Sequence, residues 1–281
     1  MTDITNAFDE HDPTSLGPAS RERLELLLSR RETSSCLRIG VPIEFNITEM
    51  SPLVRYTWSK TLQALRHRGH LLQAVSIPSM RQALSAYYVL APAEASSNLA
   101  KYDNVRYGSV KVTNGDPSLP LYSNFRQKSL GDEVRRRILL GAYTLSAEAI
   151  DNYFVQAQRI RRIVQQDLDN IFALPNSLLV HSQAKSSDRK VDALICPTAP
   201  TLPPGIEDIS QQTSLDAYAS DVFTVVGSLA GVPAVSVPMN IPPGEYEIET
   251  GCKSIGMQVL TQFGDDQRAL EIAALLESIK L

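Results

Sequence analysis

Apolar positions in this chain recur with two different spacings, and the alternation between them predicts its elements. Val54, Trp58, Leu62 and Leu65 are three or four residues apart, the spacing of one helix face. Ser51-Pro52 stands before them and Gly69 after. Serine can cap the free N–H groups and proline fits the first turn of a helix. Short apolar runs flank this helix, Leu37–Pro42 and Leu71–Ile77. A strand, a helix and a strand in that order imply a right-handed crossover between parallel strands. Arg21–Arg31, Ser79–Ala100 and Glu133–Leu145 read as helical, and Ala147–Phe172 as a longer helix with Ser146 at its N-cap. Val191–Cys196 is a buried strand stopped by Pro197, and Thr198–Gly205 a rigid extended loop. Tyr218–Leu229 is a helix ending at Gly231. Ala234–Pro238 is another strand with Gly256–Leu260 as its neighbour, and Asp265–Ile279 a last helix. Residues 1–19, 103–128 and 174–190 are loop-like. With no internal repeat and no linker, residues 1–281 read as a single α/β domain around a largely buried sheet.

Composition narrows the function classes. The chain has 281 residues, 43% of them hydrophobic and 21% charged, with a net charge of -4. That balance carries no basic stripe for gripping nucleic acid, so any RNA contact would fall to a partner. No run of about eighteen apolar residues is present to span a bilayer. Met1–Thr5 resembles neither a secretory signal nor a transit peptide, and the chain reads as if entered part-way through. Cys36, Cys196 and Cys252 are odd in number and widely spaced, which argues against a disulfide framework or a zinc site. Cys196, in an apolar run, reads as a buried structural thiol. His67 and His70 close a helix, where a cation suits the dipole. His181 falls in a polar loop and His11 near the start. None pairs with a serine or cysteine as a His-based triad would.

Three segments could carry chemistry. Tyr87–Asp103 crowds tyrosines, hydroxyls and small residues together. Small residues suit close helix packing, and tyrosine can place a hydroxyl on a pocket wall. Gly131–Gly141 sets Arg135, Arg136 and Arg137 before an apolar run. At about 100° per residue the three cannot share a face. Arg135 and Arg136 are expected toward solvent and Arg137 inward, where a guanidinium suits bidentate capture of a carboxylate. Asp221 leads into the apolar Val222–Val225. It is either a carboxylate at a helix N-terminus or an acid that receives an ammonium. Arg137 and Asp221 in one pocket would read the two charged ends of an α-amino acid. A search for a nucleophile fails: Ser34-Ser35, Ser96-Ser97 and Ser186-Ser187 lie in no Gly-rich turn, and there is no Gly-x-Ser-x-Gly and no phosphate loop.

Taken together, Glu94–Leu99 with Tyr102-Asp103, Val105–Gly108, Glu133–Gly141, Cys196–Thr201 and Asp221–Val237 resemble the amidase signature family over nearly the whole chain. Asp12–Ser15 is similar to a stretch just after that family's catalytic region. Lys101 and Asn104 stand where the family has Arg and Gly. The first stretch is similar to the tRNA-dependent amidotransferase branch. The resemblance implies a mixed sheet flanked by helices, truncated at its N-terminal side. It implies a catalytic lysine and two serines, one of which attacks a glutamine amide. None of the three has a match here, so no catalytic residue is assigned and the isolated chain is expected to be inactive. It also implies partners: the other amidotransferase subunits, glutamine, and Glu-tRNA(Gln) reached through the complex, with ATP and Mg held by a partner subunit rather than by this chain. Carried over by motif position, Arg137 would hold the glutamine carboxylate, Asp221 the α-ammonium, and Tyr87 the pocket wall. Tyr88 and Arg136 remain alternatives for two of these. The long 174–190 insertion leans toward a mitochondrial form. A fragment of another hydrolase of the family, or a non-catalytic scaffold subunit, are the competing readings.

Overall fold

The computed structural model of the chain describes residues 8–12, 14–31, 35–101, 130–179, 190–209, 218–241 and 253–281. The expected loop at 103–128, most of the 174–190 insertion, His181 and Cys252 lie outside the described residues. In chain order the elements are α1 (Pro18–Ser29), β1 (Arg38–Pro42), α2 (Pro52–His67), β2 (Leu71–Val75), α3 (Met80–Leu99), α4 (Asp132–Thr144), α5 (Phe154–Ile171), β3 (Ala193–Pro197), α6 (Ile206–Ile209), α7 (Val225–Ala230), β4 (Ala234–Asn240), β5 (Ser254–Leu260) and α8 (Asp266–Glu277). Residues 1–81 with 163–281 form one compact unit, and residues 82–162 a second. The boundaries fall inside α3 and α5.

The first unit is built on a five-stranded sheet in the order β2-β1-β3-β5-β4. β1 pairs parallel with β2 and with β3, and β5 runs antiparallel to both β3 and β4. The sheet is therefore mixed, and helices pack on it, as the α/β expectation required. The predicted strand–helix–strand unit is β1–α2–β2. All five residues of β3 are buried, because a central strand meets neighbours on both edges and helices on its faces. α2 begins at Pro52, directly after Ser51, and packs against β2, β3 and β5. Its buried face is Val54, Thr57, Trp58, Thr61 and Leu65, while Leu62 is only half-buried. The face is rotated toward the two threonines. Trp58 Nε1 donates to the Ile195 carbonyl of β3 at 3.2 Å, a partner for a polar group that would otherwise be buried alone. α8 packs on β4 and β5 through Ala269, Ile272 and Leu276, all fully buried. Ile272 and Leu276 each contribute about 1.5–3 kcal/mol when removed from water, and the methyl of Ala269 less. The insertion after α5 is closed at its base: Ala173 N–H donates to Val191 O at 2.8 Å, and Val191 N–H to Ile171 O at 3.0 Å.

The second unit packs by a different device. A Cβ on Gly141 of α4 would sit 2.0 Å from the Pro92 carbonyl oxygen of α3 and 2.8 Å from Ser96 Cβ. The two helices therefore touch backbone to backbone, as the small residues of Tyr87–Asp103 led us to expect. Pro92 lies inside α3 and cannot donate a helical N–H. The apolar run after the arginines is not buried: Leu139 is 71% and Leu140 43% exposed. Nor does the long helix begin at Ala147. The Ser146 carbonyl accepts both Ala149 N–H and Ile150 N–H, turning the chain, and α5 starts only at Phe154.

Candidate functional site

In the sheet unit, chemistry-bearing residues gather where the parallel strands end. β3 finishes at Pro197, and Thr198 follows. Its N–H donates to Gly256 O of β5 at 2.9 Å. Its Oγ1 lies 2.7 Å from Ser236 Oγ of β4. This bridge passes over Gly256, where a Cβ would come 2.8 Å from one hydroxyl and 3.0 Å from the other. One O–H is used within the pair, which leaves a second for a bound ligand. The sequence reading missed this pair. It depends on the register that sets Ser236 opposite Gln258 and Met257 opposite Pro197, which no local pattern announces. The one signal was Thr198 at the start of the Pro-rich loop.

Beneath it, Gln258 Nε2 donates to the Phe223 carbonyl at 3.3 Å and to Cys196 Sγ at 3.7 Å. Burial pushes the Cys196 thiol up to about 12, against a smaller pull from Gln258. A thiol held that high is protonated at neutral pH and is a structural group, not a nucleophile, as its apolar run predicted. Phe223 is fully buried and stacks on Phe45, ring centroids 5.0 Å apart. These contacts pin the turn that carries Asp221. The predicted helix over Tyr218–Leu229 is interrupted there. The Asp221 carbonyl accepts Thr224 N–H, Val225 N–H and Thr224 Oγ1–H, and α7 starts only at Val225. Asp221 is half-buried, one turn ahead of the first residue of α7, and its carbonyl makes the i+4 bond that a residue at a helix N-terminus makes. Gly231 ends α7 in the left-handed region at φ 73°, the expected C-terminal glycine.

Tyr87 and Arg137 belong to the helical unit, Asp221 to the sheet unit. Tyr87 meets Tyr88 edge to face, centroids 5.3 Å apart. Both rings are half-buried, so burial does not separate the two. Arg137 corrects an expectation. The side chains of Arg135, Arg136 and Arg137 are 38%, 55% and 45% exposed, so none is the inward one. Glu133 serves two of them: Arg137 Nε donates to its Oε1 at 3.0 Å, and Arg136 reaches its Oε2. Arg135 pairs with Asp132. Carboxylates one turn away keep these guanidinium groups at the helix surface. Glu133, Arg137 and Gly141 are spaced by four and lie along one stripe of α4, whose Gly141 meets α3. Among the described residues, no group of three or more His, Cys, Asp or Glu could hold a metal ion, and no helix is long and apolar enough to cross a membrane.

A mixed sheet with covering helices matches a known class. The family model described as Amidase matches residues 1–270, and the chain belongs to the amidase family. Within it, the chain is 49% identical to the mitochondrial A subunit of glutamyl-tRNA(Gln) amidotransferase from Coccidioides posadasii, over 99% of this chain and 57% of that protein. It is also 49% identical to the protein of that name from Emericella nidulans, over 98% of this chain and 57% of the relative. The chain thus spans little more than half the length of these curated relatives. Among solved structures, it is similar to the A subunit of glutamyl-tRNA(Gln) amidotransferase from Thermotoga maritima. That match has a TM-score of 0.57 and 28% identity, covering 87% of this chain and 42% of that one. The fold is also that of 6-aminohexanoate cyclic dimer hydrolase, with a TM-score of 0.62 at 16% identity, covering 96% of this chain and 50% of that one.

Proposed function

We propose that this chain is the glutamine-holding part of an A subunit of glutamyl-tRNA(Gln) amidotransferase, of the mitochondrial type. It works in a heteromeric complex that converts Glu-tRNA(Gln) to Gln-tRNA(Gln). The observation that carries this reading is the 49% identity over 99% of the chain to a relative of that name. Residues 1–281 form part of a single amidase domain, a reading that stands alongside their division into two compact units. Arg137 takes the glutamine carboxylate, its guanidinium oriented by Glu133. Asp221 takes the α-ammonium from its pinned turn, and Tyr87 supplies pocket wall. Lysine and serines outside the 281 residues cleave the amide. The ammonia passes to a partner subunit, which holds ATP and Mg and activates the glutamate on tRNA.

Purified 1–281 incubated with glutamine then releases no ammonia above a no-enzyme control. Joined to the remaining sequence of the Coccidioides relative, it becomes a glutaminase. In that fusion Arg137→Ala removes a charge-assisted hydrogen bond of roughly 1.5–3 kcal/mol. KM for glutamine should rise about 10- to 100-fold, with kcat less affected. An unchanged KM would move the carboxylate to another cation, Arg136 first. Turnover by 1–281 alone, abolished by a substitution within it, would overturn the assignment of the chemistry to residues outside the chain.

A further inference from the structure

A cavity of about 600 Å³ opens at the opposite edge of the sheet from Thr198 and Ser236. β1, β2 and β3 are parallel, so their first residues share one edge. There Arg38 and Leu71 begin β1 and β2, and Asp192 precedes β3. Arg30 and Arg31 at the end of α1 and Arg268 of α8 complete the charged lining, with Asp265. Leu27 and Leu174 give the remaining wall an apolar character.

The charges do not balance within the cavity. Arg31 pairs with Asp265 at 2.5 Å. Asp192 accepts the Arg38 backbone N–H at 2.8 Å and lies 3.4 Å from its guanidinium. Asp265 answers Arg31 and Asp192 answers Arg38; with Glu271, which reaches Arg268 from outside the lining, the cluster keeps an excess of one positive charge. Arg268 is only 8% exposed. Its Nη1 reaches Glu271, a half-exposed residue outside the lining, at 3.3 Å. Its Nε is buried with no hydrogen-bond partner among the described residues. A desolvated guanidinium with an unmatched N–H is unfavourable until an acceptor arrives. Guanidinium groups present a planar fork that matches a phosphate bidentately.

We propose that this cavity binds a phosphate group, free or esterified to a small apolar body, through Arg268 and Arg30. The excess of positive charge and the unmatched Nε–H of Arg268 suit an anion, and the leucine wall suits the body of an ester. The site stands apart from the residues proposed to hold glutamine and does not rest on that proposal.

The test is isothermal titration of the full 1–281 chain with inorganic phosphate and with phenyl phosphate, at constant ionic strength set by sodium chloride. Saturable one-to-one binding of either is expected. Tighter binding of phenyl phosphate assigns the site to an ester, and equal binding to free phosphate. Arg30→Gln, at an exposed position, should weaken binding about tenfold or more, and Arg268→Gln should abolish it. If Arg268→Gln fails to fold, Arg30→Gln decides alone. Absence of saturable binding to either probe, or unchanged affinity in a folded Arg30→Gln chain, overturns the proposal.

Discussion

The sheet unit and the helical unit bury their interiors by opposite means. In the first, large side chains fill the space. Phe45, Phe223, Leu194, Ile195 and Met257 are among its fully buried residues, and the sheet is closed over by α2 and α8. In the second, the tightest contact is made where a side chain is missing, at Gly141 against Pro92, while Leu139, Leu140 and Tyr143 stay exposed. The first arrangement should be sensitive to removing atoms and the second to adding them. This difference sets what each unit can carry. The sheet unit fixes Asp221 through a buried stack and a glutamine-to-carbonyl hydrogen bond. In the helical unit Arg137 is half-exposed and pairs with the half-exposed Glu133.

The largest effect tests the first half of that contrast. Phe223→Ala should destabilise the sheet unit by about 3–5 kcal/mol, read as a lower urea midpoint and faster hydrogen exchange in β3 and β5. A loss under about 1 kcal/mol would mean that the Phe45 stack does not hold the Asp221 turn. Next comes Gly141→Ala. In an exposed helix this change gains up to about 1 kcal/mol from helix propensity. Here the added methyl meets the Pro92 carbonyl, and a net loss of about 1–3 kcal/mol is expected. Leu139→Ser in the same helix should stay within about 0.5 kcal/mol. Stabilisation by Gly141→Ala would show that α3 and α4 do not touch through their backbones.

The smallest effect belongs to the sheet unit and to pH. His70 is buried and its Nδ1 accepts the Leu37 N–H at 3.2 Å, so the folded chain holds it neutral. Burial first, and then Arg68, lower its pKa below the ordinary 6.5. As pH falls the unfolded chain takes up this proton first, so the contribution is complete above 6.5 and is lost as pH drops through the folded value. Stability should fall by about 1 kcal/mol for the lost hydrogen bond. The urea midpoint of the wild type should drop between pH 7.5 and 5.5 more than that of His70→Gln, whose side chain accepts the same N–H without titrating. Equal drops would place the pH response elsewhere.

Most of the elements were legible because their signals are local. Ser51-Pro52 marks the start of α2, the β3 run is continuously apolar, and Gly231 ends α7. Where the reading drew two helices as continuous, the structure has turns first. The Thr224 hydroxyl bonds back to the Asp221 carbonyl and α7 begins only at Val225; turns follow Ser146 and α5 begins only at Phe154. Of the candidate site, the residue types were legible and their surroundings were not. The Glu133–Arg137 pair is visible at four-residue spacing, yet the apolar run beside it suggested an inward arginine. That inference assumed that the leucines of α4 face a core, whereas its buried positions are Gly141 and Thr144. The Thr198–Ser236 bridge needs three strands in register, and sequence separation hides it.

The central strand also sets a timetable. Arg38 and Asp192, which meet at the edge of β1 and β3, are 154 residues apart, and β5 does not end until Leu260. Contacts of such long range close slowly because the intervening loop must first be ordered. A nascent chain emerging from the ribosome therefore exposes β1 and β2 without their third neighbour while the whole helical unit is being made. For that interval Ile39 and Val75, buried in the finished fold, have no completed core to enter until β3 and then β5 arrive.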